Sequence, residues 1–228
     1  GVVAHPDLQG QIVAGYDFIT DPARAGDGDG PDADPTDVGD QGHGSGLSTW
    51  HGTHVSAIAV GRADDGVGVV GVAPGCRVMP LRALGVGGGL SSDVADAILY
   101  AAGLYSPPTG QRLTTPLRIV NLSLGTSVLS AEMQSACAAA ADQGVLLVAA
   151  SGNVGGAVGY PAAFSSVLAV TAVDGLLQGT TYSSYGPEVS LCAPGGVRSL
   201  DEQGDGWPDA ILSAVVDETQ YPRALGHA

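Results

Sequence analysis

Apolar residues along this chain fall into two rhythms. Short unbroken runs mark buried strands, and runs with apolar positions three and four apart mark helices. "GQIVAGYDFI" (10–19) predicts a strand leading into a polar loop over 20–50. A helix is predicted from near Thr53 to Gly61, and a strand over "CRVMPLRAL" (76–84). "SSDVADAILYAAGL" (91–104) predicts a helix capped by Ser91 or Ser92, with Val94, Ala97, Ile98 and Ala101 on its apolar face. "RIVNLSL" (118–124) is a strand, and "SAEMQSACAAAADQG" (130–144) a helix between Ser130 and Gly144. "VLLVAAS" (145–151) and "VLAVTAV" (167–173) are further buried strands, and "ILSAVV" (211–216) predicts a hairpin strand.

Repeated strand–helix–strand units with apolar strands predict an α/β fold. Its architecture is a three-layer, doubly wound, mostly parallel sheet with helices on both faces. No repeat or linker divides the chain, so one domain over residues 1–228 is expected.

Composition narrows the function. Hydrophobic residues at 44% support a packed core. Acidic residues number 23 against 8 basic, all of them Arg, for a net charge of -15. That balance excludes nucleic acid as a partner, because neutralising phosphates needs a basic surface. It fits acidic cation sites or adaptation to salt. No run approaches the roughly 20 apolar residues that span a bilayer, so no membrane partner is expected. Three dispersed cysteines exclude a zinc ribbon and allow at most one internal disulfide; buried thiols are the simpler reading.

"TWHGTHVSAIAV" (49–60) sets His51 and His54 three positions apart at a helix start. A metal pair would want i, i+4 spacing with a Glu between, which is absent. His51 is therefore a base or a structural residue, and Gly52 beside it allows close backbone approach. "VAASGNVGG" (148–156) ends a strand in Ser151-Gly152-Asn153. An Asn amide there can donate to a developing oxyanion, or simply make a turn.

Taken together, "HGTHVSAIA" resembles the histidine motif of the subtilisin-like serine proteases (subtilases, peptidase S8), and "AASGN" resembles their oxyanion-hole segment. "GVAPGCRVMPLRAL", "IVNLSLG", "GYPAAFSSVLAVTAV" and "YSSYGPEVSLCAPGG" resemble further family segments in family order, from about residue 2 to 196. The resemblance implies a subtilisin-like peptidase domain with His51 as general base and Asn153 in the oxyanion hole. It implies that Ser123, Leu124 and Gly125 form an edge pairing with extended peptide. Ala150, Ser151 and Gly152 would wall the specificity pocket, and Gly159 would be its floor, leaving room for a large apolar side chain. The orienting Asp would fall two positions before Gly1, and no Gly-Thr-Ser-Met-Ala string carries the nucleophile. "GHGSG" (42–46) lacks the spacing of a nucleophile elbow.

The chain therefore reads as a serine endopeptidase core truncated at both ends, inactive by itself. The rival is a non-catalytic subtilase-like protein that binds peptides. The implied partners are polypeptide substrates, or a propeptide or inhibitor in the cleft. A monomer and a secreted location are expected.

Structural Ca2+ is expected at two places. The loop 21–40 carries Asp27, Asp29, Asp32, Asp34, Asp37 and Asp40 among glycines, a pattern that lets carboxylates converge on a hard cation. "ADDGVGVVGVAP" (63–74) resembles the subtilisin calcium loop, which implies Asp7 and Asp65 as ligands with carbonyls of Ala63, Val67 and Val69. A weaker pattern is Asp201, Gln203, Asp205 and Asp209.

Overall fold

The protein is described by a computed structural model covering residues 1–40, 48–201 and 204–217. The string at 42–46, Gln203 and the final "YPRALGHA" lie outside the described residues. The chain folds into two compact units. Of the described residues, the first holds 1–40, 48–97, 106–111 and 212–217; the second holds 98–105, 112–201 and 204–211.

In the first unit a 3-10 turn, Pro6–Leu8, precedes strand β1 (Tyr16–Asp17), helix α1 (Pro22–Ala25), helix α2 (His51–Val60) and strand β2 (Leu81–Arg82). The predicted strands 10–19 and 76–84 contract to a short parallel pair, Tyr16↔Leu81 and Asp17↔Arg82, with one bridge at Ile12↔Val78. Helix α2 starts two residues earlier than predicted. Its cap, Trp50, is left-handed (φ 49) and supplies no side-chain capping hydrogen bond. The helix buries Ala57 and Val60 against Val2, Leu8 and Ala214.

Arg82 is buried behind the pair. It donates to Asp17 and to the Ala25 carbonyl, and to Asp27 at 2.7 Å. The hydrophobic pattern gave no sign of this ion cluster, which ties the acidic loop to β1 and β2.

Helix α3 (Ser91–Ala101) begins in the first unit and ends in the second. Ser91 is its first residue rather than its cap. The second unit continues with β3 (Ile119–Leu122), α4 (Ala131–Asp142), β4 (Leu146–Ala150), β5 (Val167–Val173) and β6 (Val189–Pro194). These four strands form a wholly parallel sheet in the order β3-β4-β5-β6. Ser130 caps α4 as predicted, accepting from the Met133 N–H at 3.2 Å. Leu147, Ala149 and Ala169 are fully buried on one sheet face, as their apolar runs require. The element reading did not predict β6, whose residues are half-buried or exposed and carry no clean apolar run.

The strand predicted over 211–216 is not formed. A short antiparallel pair, β7 (Gly196–Val197) with β8 (Asp209–Ala210), ends just before it. The apolar residues of 211–216 serve another purpose: Ala214 enters the core beside α2, and the Ser213 hydroxyl donates to the His54 carbonyl at 2.7 Å. The architecture is α/β with a mostly parallel sheet, as the element pattern predicted.

Candidate active site

His51 is the first residue of α2 and reaches solvent. Its imidazole makes no hydrogen bond to another described residue. Burial pushes its pKa below the usual 6.5, and the Asp40 and Asp37 carboxylates oppose that shift. The favoured state is a neutral imidazole, which can accept a proton. Gly52 is required by close approach: a β-carbon there would lie 1.8 Å from the Gly1 carbonyl oxygen. Thr53 completes the junction, its hydroxyl accepting from the Val3 N–H at 3.1 Å. The segment 1–3 is thus laid directly over the first turn of α2.

Asp7 is buried, with one carboxylate oxygen accepting from the Val69 N–H at 2.9 Å. Among the described residues the other oxygen has no hydrogen-bond partner, and the nearest basic atom, His5 Nδ1, is 3.8 Å away. Gly68 curls against this carboxylate so closely that a β-carbon would overlap it. A buried carboxylate oxygen left without a hydrogen-bond donor is chemically suited to a hard cation. Asp65 is engaged elsewhere, accepting from Val67 N–H at 3.1 Å and pairing with Arg62 at 3.4 Å.

The acidic loop does not gather its carboxylates around one point. Among the described residues, no three His, Cys, Asp or Glu side chains stand together as a metal-holding group. Instead the aspartates turn back on their own loop. Asp32 accepts from Asp34 N–H (2.7 Å), Asp34 from Thr36 N–H (3.0 Å) and Asp37 from Gly39 N–H (2.9 Å). Asp27 pairs with Arg82, and Asp40 holds Thr49 by its N–H (2.8 Å) and hydroxyl (2.6 Å). Asp29 is exposed, and its carboxyl is raised, with desolvation first and Asp32 and Asp27 adding. The Asp-Gly alternation encodes local turns, in which each carboxylate meets the amide two residues on. Asp201 likewise accepts from the N–H groups of Asp205 and Gly206.

In the second unit a cavity of about 260 Å³ opens at the carboxyl ends of β3 to β6. Ligands of open parallel sheets bind at such ends. Ser123, Ala150, Ser151, Gly152 and Asn153 line it; Leu124, Gly125 and Gly159 do not. Asn153 is exposed, and its amide makes no hydrogen bond to another described residue. Gly159 is held to the wall by its N–H, which donates to the Ser151 carbonyl at 2.9 Å. Beneath the wall, the hydroxyls of Ser151, Thr171 and Ser183 form a cluster with the Ser184 main-chain carbonyl that sequence reasoning missed. Its one signal is Thr171, the polar break in the apolar run "VLAVTAV".

Known proteins match this arrangement. The model of the subtilase family (peptidase S8) matches residues 1–221. An extracellular protease of Xanthomonas campestris pv. campestris is 38% identical over 241 residues, covering 100% of this chain and 39% of the relative. A halolysin-like extracellular serine protease, Nep, of Natrialba magadii is 41% identical over 187 residues, covering 80% of this chain and 29% of the relative. Among solved structures, a protease from Pseudoalteromonas arctica superposes with a TM-score of 0.82 at 34% identity, covering 94% of this chain and 68% of that one. The chain spans well under half the length of these two curated relatives.

Proposed function

The chain belongs to the subtilase family, with a subtilisin-like α/β fold, and from that premise we propose that it is the core of a secreted serine endopeptidase. The observation that carries the reading is Asn153: an amide with no hydrogen-bond partner among the described residues, on a cavity wall at the carboxyl ends of parallel strands. Such a donor costs no reorganisation when negative charge develops on a substrate carbonyl oxygen. His51, neutral and open to solvent, accepts the proton of the attacking serine hydroxyl and returns it to the leaving amine. Ser123 to Gly125 pair with the substrate backbone, and Ala150 to Gly152 wall the specificity pocket, with Gly159 behind them. Of the triad, His51 is the member these residues supply. The 228 residues carry no Gly-Thr-Ser-Met-Ala string for a nucleophile, and by themselves they are proposed to be inactive. Secretion is supported by the extracellular proteases among the relatives.

We propose further that Asp7, with carbonyls of the loop 63–69, holds a calcium ion. Its role would be to neutralise a buried charge and tie the 3-10 turn to that loop.

The test is intact mass after treating the full-length protein with a fluorophosphonate probe. One probe mass per molecule, lost in His51→Ala, is expected. A folded full-length protein that takes no label overturns the protease reading in favour of peptide binding.

A further inference from the structure

Asn153 can stabilise an oxyanion only if the backbone before it is fixed, and the second unit fixes it through a residue of another loop. Ser184 is fully buried, and its main chain grips the Ser151–Gly152 peptide on both sides. Its N–H donates to the Gly152 carbonyl at 2.8 Å, and its carbonyl accepts the Ser151 hydroxyl at 2.9 Å. That same carbonyl accepts the Thr171 hydroxyl at 2.9 Å. Both of its lone pairs are then filled.

The proton directions follow. Thr171 has given its proton to Ser184, so the 2.7 Å contact between the Thr171 and Ser183 hydroxyls has Ser183 as donor. Ser183 in turn accepts the Ala172 N–H at 2.8 Å. The 3.4 Å contact from Ser151 to Ser183 has no spare proton and adds little. Thr171 follows the register of β4 and β5 (Ala150↔Val170), which sets it beside Ser151 on the buried face. Gly152 sits at φ +119, where a β-carbon would come within 2.9 Å of the Ser184 hydroxyl. The next residue in the chain is Asn153.

We propose that Thr171, acting through the Ser184 carbonyl, is a positioning residue that fixes the Ser151–Gly152 peptide and so the aim of Asn153. The inference rests on the protease reading above. It assigns Thr171 no contact with substrate. A bonded network of this kind holds one geometry, and a misplacement of about 1 Å can cost about 10²-fold in rate.

The experiment measures kcat and KM of the full-length protein on a fluorogenic peptide amide. The variants are Thr171→Val, Thr171→Ser, Asn153→Ala and the Thr171→Val/Asn153→Ala double. Thr171→Val keeps the shape and removes the hydroxyl. It is expected to lower kcat about tenfold or more with KM within about twofold, because the lost interaction is made in the transition state. Thr171→Ser is expected to restore most of kcat. In the Asn153→Ala background, Thr171→Val is expected to change kcat less than about twofold, since an absent amide cannot be misaimed.

An equal loss of kcat in both backgrounds, an effect confined to KM, or no effect overturns the proposal. If Thr171→Val does not fold, Thr171→Ala, which removes the same hydroxyl without a branched side chain, is read by the same comparison. Asn153→Ala with undiminished kcat sinks the oxyanion reading and this one together; an impaired Asn153→Ala beside an unimpaired Thr171→Val sinks this one alone.

Discussion

At the scale of single residues, Gly52 and His51 were legible because each answers a strict local demand. A β-carbon at position 52 would meet a backbone oxygen, which cannot move aside as a side-chain tip can. Gly52→Ala should therefore destabilise the fold by about 1–3 kcal/mol, the usual cost of overpacking, as read by urea denaturation. An unchanged midpoint would show that segment 1–3 is not seated on α2. His51 carries a pH prediction with a definite sign. Its folded pKa lies below the 6.5 of an unperturbed imidazole, so the fold favours the neutral form. The contribution to stability is whole above about pH 6.5 and is lost as pH falls below it toward the folded pKa. An NMR titration of the His51 ring should give a midpoint below 6.5, and Asp40→Asn should move it lower still, because Asp40 opposes the shift. A midpoint above 6.5 would contradict the burial argument. Thr171 was not legible in the same way. A single Thr in a buried strand is compatible with many partners, and it takes the register of β4 and β5 to set it beside Ser151 and the fold of a separate loop to bring Ser184 to both.

At the scale of elements, legibility followed hydrophobic continuity. Strand β5 was read with its observed bounds because seven residues, apolar but for Thr171, leave few alternatives. Helix α4 was read from its cap and its alanine run, and the cap carries a measurable load. Ser130→Ala should cost about 1 kcal/mol, visible as a lowered thermal midpoint with the native circular dichroism retained. No change would mean that the Met133 amide finds another acceptor. The strand misread at 211–216 shows the limit of the method. Apolar runs report burial, and Ala214 is buried against α2 without any ladder of strand hydrogen bonds. Strand β6 fails in the opposite direction: its pairing with β5 is real, yet its outward residues dilute the signal. The acidic loop carries a related ambiguity. Asp-Gly alternation is the chemistry of turns as well as of cation loops, and here turns take most of the carboxylates.

At the scale of the whole molecule, a net charge of -15 makes self-repulsion a standing term against the compact state. Two remedies are physically distinct. Diffuse screening needs only ionic strength, since at 0.1 M salt the Debye length is about 10 Å. A bound cation at Asp7 needs a particular ion at low concentration. Sodium chloride should raise the thermal midpoint gradually, and equally in the native protein and in Asp7→Asn. Millimolar calcium should add a further rise over magnesium at matched ionic strength, with chelation reversing it, because ligand binding to the folded state stabilises as the logarithm of ligand over Kd. That increment should vanish in Asp7→Asn, where one carboxylate oxygen becomes an amide nitrogen that repels a cation. A calcium increment that survives the substitution would move the site away from Asp7. No increment in either protein would leave screening as the sole response, and the Asp7 oxygen that lacks a partner among the described residues would then be held without a metal.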